Sequence, residues 1–148
     1  MTEREIVIIG AGAAGLAAAL GARDKGAEDI LIIERGQHLG GILNQCIHNG
    51  FGLHRFKEEL AGPEYAQRYA DMVKASKGIE ISERTFAVKI TDRREVVCLK
   101  SGEIMKIKAR ALILATGCRE RTREMIPIHG FRHAGIYPAG LAQKMINI

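Results

Sequence analysis

Three glycines near the start of the chain have the clearest chemical meaning. Gly10, Gly12 and Gly15 form the pattern Gly-x-Gly-x-x-Gly, which follows a β-branched run and opens an Ala- and Leu-rich stretch. The first glycine permits a tight turn, the second lets a diphosphate approach the backbone, and the third lets helix and strand pack closely. The free N–H groups of a helix N-terminus attract anions. The pattern predicts a dinucleotide diphosphate site that includes Ala13 and Ala14.

One carboxylate lies at the distance from the glycine pattern that is typical of a residue that binds the ribose of adenosine. Glu34 ends the second apolar run, about twenty residues after Gly15. From there it can accept hydrogen bonds from both ribose hydroxyls, and it would repel a 2′-phosphate. NAD and FAD share this adenosine half, so both cofactors stay open at this point. The structural alternative is a doubly wound domain that binds no dinucleotide.

Two later features favour FAD over NAD. Gly40 and Gly41 follow Glu34 at the head of a polar loop, where the second half of a dinucleotide would extend. Small residues at 115–117 end the last apolar run, and they would let this turn press against a cofactor. Both features predict contacts beyond the adenosine half.

These residues need an α/β framework to bring them together. Apolar runs at 5–9 and 29–34, joined by a helix over 16–25, predict one right-handed βαβ unit. A second helix is expected over 65–77, one or two helical turns at 55–60, and a third helix from 141. Short alternating segments at 79–81, 85–91, 95–100 and 103–108 predict antiparallel strands, and 111–115 predicts a buried parallel strand. The fold class is therefore α/β: a Rossmann-like parallel sheet with helices, and a small antiparallel β-meander inserted before the last parallel strand.

Composition and charge exclude several other classes of protein. The chain has 148 residues, 47% of them hydrophobic and 26% charged, which fits one ordinary domain. A net charge of +5 without a basic cluster, 5% aromatic residues and no Trp argue against nucleic-acid binding. No stretch has the length of a membrane span. Three cysteines without zinc spacing predict no metal site, and they suit a reducing, cytoplasmic setting.

Several reactive side chains are candidates for catalysis, but the sequence assigns a catalytic role to none of them. Cys46 has no second cysteine within fifty residues, so a dithiol relay is not expected, and packing is the favoured role for Cys46 and Cys118. His48 or His54 could act as an acid or base near neutral pH, but exposed loop histidines are the simpler reading. His129 and His133 are less informative still. The catalytic residues remain unknown.

With these motifs in order, the chain resembles the N-terminal part of the FAD-dependent pyridine-nucleotide oxidoreductases, the two-dinucleotide-fold flavoproteins. Within that family, the run at 40–53 is similar to flavoproteins associated with anaerobic glycerol-3-phosphate dehydrogenases and to flavin subunits of amino-acid and opine dehydrogenases. The runs at 117–123 and 135–140 fit the same group.

The resemblance implies a cofactor, a set of contacts and a reaction. The cofactor is FAD, and hydride would move between flavin and NAD(P)H or a small hydroxy or amino acid. Asn49 would contact the isoalloxazine ring, and the backbone of Ala87 would pair with adenine. The remaining cofactor residues implied are Arg35, Ile42, Ala115, Thr116 and Gly117.

The chain departs from this family in two ways. It has no second Gly-x-Gly-x-x-Gly and no Gly-Asp pair. We therefore expect residues 1–148 to be an N-terminal FAD-binding part, without the nicotinamide-binding domain and the return segment. NAD(P)H or a substrate would then reach the site only through a missing domain or partner subunit, and we expect self-association or pairing with such a subunit. A single-dinucleotide NAD dehydrogenase domain and a non-catalytic assembly fragment are the alternatives.

Overall fold

One six-stranded sheet forms the centre of the computed structural model, which describes residues 2–131 and 133–148. Its strands are β1 (Thr2–Ile9), β2 (Ile30–Ile33), β3 (Ile79–Ser82), β4 (Thr85–Ile90), β5 (Glu95–Lys100) and β6 (Glu103–Leu114). The helices are α1 (Ala13–Asp24), α2 (Gly62–Ala75) and α3 (Ala139–Asn147), with short 3₁₀ helices at Gly41–Gln45 and Arg123–Met125. Across the sheet the strand order is β3-β2-β1-β6-β5-β4.

Half of this sheet is parallel and half is antiparallel. Strand β1 pairs in parallel with β2 and with β6, and β2 pairs in parallel with β3. Strand β5 pairs antiparallel with β4 and with β6. Because the meander comes immediately before the parallel end of β6, the predicted fold class is confirmed.

Two predicted strand assignments were wrong. The segment 79–81 is not part of the meander: β3 pairs in parallel with β2, with Ile79 opposite Ile30. The segments 103–108 and 111–115 are not separate strands, because β6 is continuous and pairs with β5 through its first half and with β1 from residue 107 onward. One strand therefore belongs to both parts of the sheet.

Burial and local structure also differ from expectation in two segments. The end of β6 is not buried on both faces, and the side chain of Leu114 is 62% exposed. No helical turn forms at 55–60. Instead this segment is a series of turns closed by an antiparallel bridge between Phe51 and Leu60. None of the helices in the described ranges is long and apolar enough to cross a membrane.

The core lies on both faces of the parallel strands, because their side chains alternate between two layers. On one face Ile8 and Ile32 pack with Leu16 of α1 and Val73 of α2. On the other face the apolar side chains of β1 and β2 meet the inner side of the meander, in a cluster of Val7, Ile9, Leu31, Ile33, Val96, Cys98, Ile107 and Ala109. Full burial of one such aliphatic side chain contributes about 1.5–3 kcal/mol. The two layers hold the carboxyl ends of β1 and β2 in place.

Candidate functional site

The glycine turn is built by close approach of three backbone segments. Gly10 has φ +105°, and a Cβ there would collide with the carbonyl of Ala115. A Cβ on Gly15 would collide with the carbonyl oxygen of Gly10. The obstructing atoms are backbone, which cannot rotate away. The turn therefore excludes side chains at both positions, as the sequence pattern predicts for Gly15.

The middle glycine faces open space at the N-terminus of α1. A Cβ added to Gly12 would meet nothing within 4 Å. Gly12 is the N-cap of α1, no side chain caps it, and the first turn carries no acidic residue. Ala13 and Ala14 are exposed there. Free N–H groups, the positive end of the helix dipole and an absence of competing carboxylates fit an anionic diphosphate.

The polar loop that follows Glu34 packs against this turn through Gly40 and Gly41. The N–H of Gly40 donates to the carbonyl of Ala11 over 2.7 Å, and Gly12 and Gly40 form an isolated parallel bridge. A Cβ on Gly41 would lie 3.0 Å from the Cα of Gly12. The next residue, Ile42, is 61% exposed. The loop therefore forms one wall beside the open end of α1.

Glu34 is fixed at the end of β2 by two backbone amides. One carboxylate oxygen accepts the N–H of Ala11 at 2.8 Å, and the other accepts the N–H of Gly36 at 2.7 Å. A carboxylate offers about four lone-pair sites, so each oxygen can still accept a ribose hydroxyl. Arg35, which follows, is exposed. The carboxylate is therefore positioned by the turn it adjoins, and it retains the acceptor capacity that a ribose needs.

The end of β6 lies beside the same glycine turn. The N–H of Ala115 donates to the carbonyl of Ile9 over 2.8 Å, so the chain passes directly beside Gly10. Thr116 and Gly117 are exposed, and Gly117 has φ +70°. The ends of β1, β2 and β6 thus converge, which is where open α/β sheets bind their ligands.

Other residues named from the sequence stand apart from this cluster. Asn49 is exposed, and its carbonyl oxygen lies 3.0 Å from Nδ1 of His48. Ala87 lies on the inner side of β4 opposite Cys98. The contacts described for Asn49 and Ala87 do not join either residue to the glycine turn. Their roles toward the cofactor therefore stay predictions.

An aromatic cluster that was not predicted from the sequence positions the polar loop. Phe56 packs edge-on against Tyr65 and Tyr69, with ring centroids 5.6 and 5.7 Å apart, and Arg68 lies 5.2 Å over the Phe56 ring. Phe51 contacts Tyr65 at 6.2 Å and His48 at 5.3 Å. The four-residue spacing of two tyrosines on α2 was the available signal, since such residues share one helix face. The cluster holds the loop against α2.

The cysteines and histidines form no reactive constellation among residues 2–131 and 133–148. All three cysteines are free: Cys46 is half-buried with its Sγ 3.3 Å from the carbonyl of Ile42, Cys98 is buried, and Cys118 is exposed. Burial raises the pKa of the Cys98 thiol. Within the same described ranges, no group of three or more His, Cys, Asp or Glu is arranged to hold a metal ion.

Alkylation with iodoacetamide should follow this order of exposure. Thiolates react rather than thiols, so we expect Cys118 to be modified first, Cys46 more slowly and Cys98 only after unfolding. Mass mapping of the native and denatured chain checks the order. Oxidation that joins Cys46 to another cysteine of the same chain, with loss of two hydrogens, would contradict the assignment of Cys46 as a packing thiol.

Fold and site together define an α/β dinucleotide-binding domain. The chain belongs to the pyridine nucleotide-disulphide oxidoreductase family, whose match covers residues 4–144. A search of curated protein sequences finds no match. The family and the fold make this chain an FAD-binding oxidoreductase domain, and the open helix end, Glu34 and the glycine walls fit that cofactor.

Similar solved structures support the fold. Thioredoxin reductase from Lactococcus lactis is 25% identical with a TM-score of 0.64, over 82% of this chain and 38% of the reductase. L-proline dehydrogenase from P. horikoshii is 24% identical with a TM-score of 0.67, over 78% of this chain and 23% of the dehydrogenase. Bacillithiol disulfide reductase from Staphylococcus aureus is 23% identical with a TM-score of 0.61, over 79% of this chain and 39% of the reductase. This chain thus corresponds to less than two fifths of each.

Proposed function

We propose that the cluster at the carboxyl ends of β1, β2 and β6 binds FAD. The ribose of the adenosine would lie on Glu34, and the diphosphate over Gly12, Ala13 and Ala14. The residues proposed to hold the flavin half are Gly40, Gly41, Ile42, Asn49, Ala115, Thr116 and Gly117. The observation that carries the proposal is the open end of α1 beside a carboxylate that two amides have already oriented.

The reaction we propose is hydride transfer in which the protein positions the reactants. When bound, FAD supplies the acceptor for a hydride from NAD(P)H or from a small hydroxy or amino acid. The side chains around the turn are small or apolar, so their part is to bind and orient the cofactor and to exclude water. We propose that a further domain or a partner subunit presents the reductant, as the family resemblance implies.

The substrate group is a finer proposal and rests on sequence motifs. The runs at 40–53, 117–123 and 135–140 favour flavoproteins associated with anaerobic glycerol-3-phosphate dehydrogenases, or flavin subunits of amino-acid and opine dehydrogenases. Residues 1–148 would form the N-terminal FAD-binding part of such an enzyme. We also propose a cytoplasmic location, since three free thiols suit a reducing compartment.

Replacement of Glu34 tests the adenosine half of the site. Glu34→Ala should weaken ADP and FAD binding by roughly 1–3 kcal/mol, the value of charge-assisted hydrogen bonds to a ribose. Glu34→Gln keeps one acceptor oxygen, but its NH₂ group would face the N–H of Ala11 or of Gly36, so this variant should also bind ADP more weakly than the parent. Calorimetric titration with ADP gives the dissociation constants, and Glu59→Ala, at an exposed loop carboxylate, serves as the matched control. Parent-like ADP affinity in Glu34→Ala would refute this placement.

Two simple measurements separate the alternatives. A purified chain with flavin absorbance excludes a domain that binds NAD alone. Turnover of NADH with an artificial electron acceptor, by this chain without added protein, excludes a purely non-catalytic assembly module.

A further inference from the structure

The backbone of Glu34 is held by the tight turn that joins β3 to β4. Its N–H donates to the carbonyl of Ser82 over 2.9 Å, and its own carbonyl accepts the N–H of Thr85 over 2.9 Å. Glu34 lies beyond the last ladder pair between β2 and β3, so these bonds continue the pairing past the strand end. The position of this carboxylate therefore depends on the geometry of the β3–β4 turn.

The side chains of the same two residues, Ser82 and Thr85, are buried polar groups. Ser82 is 5% exposed and Thr85 is 0% exposed, and their hydroxyl oxygens lie 2.9 Å apart. The Thr85 hydroxyl donates to the carbonyl of Glu83 over 2.9 Å. A hydroxyl has one proton, so Thr85 accepts from Ser82, and the Ser82 oxygen can itself accept from a further donor.

Lys100 supplies that donor from the end of β5. Its Nζ lies 2.9 Å from the Ser82 hydroxyl, and the residue is directly opposite Thr85 in the β4–β5 ladder. The hydrogen bonds therefore run in one direction, from Lys100 to Ser82, from Ser82 to Thr85, and from Thr85 to the carbonyl of Glu83. An ammonium group donates hydrogen bonds and cannot accept them, so Lys100 must be the first donor in this series of hydrogen bonds.

We infer that Lys100 is a positioning residue for the adenosine end of the cofactor site. The lysine fixes the hydroxyls of Ser82 and Thr85, and the backbone of these two residues fixes Glu34. The inference rests on the proposed function, since it takes Glu34 as the ribose carboxylate. It adds a meander residue to a site that the sequence motifs place in the βαβ unit and its loops.

Lysine-to-methionine replacement tests the role, with ADP as the probe. Lys100→Met should raise the ADP dissociation constant about three- to tenfold, the effect of losing one hydrogen bond in such a chain. Lys100→Arg keeps the donor and should stay close to the parent. Lys106→Met, at an exposed lysine on neighbouring β6, is the matched control. Ser82→Ala removes the acceptor instead, and should weaken ADP binding to a similar degree.

A spectroscopic readout separates positioning from general destabilisation. The amides of Ala11 and Gly36 donate to the Glu34 carboxylate, so their NMR resonances should shift in Lys100→Met and remain at the parent positions in Lys106→Met. Parent-like ADP affinity in both Lys100→Met and Ser82→Ala would overturn the inference, as would unshifted Ala11 and Gly36 amides in a folded Lys100→Met. If Glu34→Ala weakens ADP binding and these variants do not, only the inference fails. If the parent chain does not bind ADP, the proposed function fails with it.

Discussion

Gly12→Val should abolish FAD and ADP binding and leave the protein folded. Gly12 has φ −74° and ψ −174°, an extended conformation that valine adopts readily. A Cβ at this position meets no atom within 4 Å, so the fold itself does not exclude a side chain. The space it would fill is the approach to the free amides of α1, where the diphosphate must lie. We expect at least a hundredfold loss of ADP affinity, which corresponds to about 2.7 kcal/mol.

Calorimetry with ADP and thermal melting measure the two parts of this expectation separately. Gly21→Val is the matched control, because Gly21 lies in the same helix and its Cβ would also meet nothing within 4 Å. The control should bind ADP like the parent. ADP affinity within threefold of the parent in a folded Gly12→Val chain would show that the diphosphate does not lie over this turn.

Gly15→Ala should destabilise the fold, whereas Gly12→Val should affect binding and leave the protein folded. The new methyl group would overlap the carbonyl oxygen of Gly10 and lie 2.9 Å from its carbon. Both atoms belong to the backbone of the tight turn, so relief requires helix α1 to move away from β1. Overpacking of this kind costs about 1–3 kcal/mol, and cofactor binding should fall as well because the turn is displaced. Urea unfolding followed by fluorescence or circular dichroism measures the free energy.

Gly21→Ala provides the comparison within the same helix. Alanine is favoured over glycine in a helix interior by up to about 1 kcal/mol, and nothing obstructs the new methyl group at Gly21. The two Gly→Ala variants should therefore change the free energy of unfolding with opposite signs. An unfolding midpoint for Gly15→Ala equal to or above the parent's would mean that the close contact between turn and helix does not exist in solution.

The βαβ unit could be predicted from the sequence because its signals are local. The apolar runs of β1 and β2, the glycine turn and the distance to Glu34 all lie within the first 34 residues, and each constrains its neighbour. The structure adds that the Glu34 carboxylate accepts two backbone amides. That detail depends on how the turns after β1 and β2 face each other, which residue spacing does not contain.

The two ends of the meander were predicted less well, because β3 and β6 pair in parallel with β2 and β1, which are distant in sequence. Lys108 and Arg110 interrupt the apolar pattern between the two predicted segments. In the folded chain they alternate with Ile107 and Ala109, which are 3% and 1% exposed. One face of β6 is therefore continuous while the other carries charges. Similarly, 79–81 is too short to reveal whether its partner is β2 or the meander.

The hydrogen bonds that link Lys100, Ser82 and Thr85 could not be predicted from the sequence. Ser82, Thr85 and Lys100 carry no motif, and their types are ordinary in strands and turns. Only the fold brings the end of β5 to the β3–β4 turn and that turn to the end of β2. Residues that position a site through other residues are found from contacts, whereas residues that touch a ligand can be found from spacing.

The continuity of strand β6 affects how the two halves of the sheet unfold. Its residues Ile107 and Lys108 pair with β5 on one side and with β1 on the other, so they join the antiparallel and parallel halves of the sheet. Successive N–H groups of a strand point to opposite neighbours, so exposing both of these amides requires β6 to separate from β5 and from β1. We therefore expect the two amides to exchange with deuterium together, and the two halves of the sheet to unfold as a single cooperative unit.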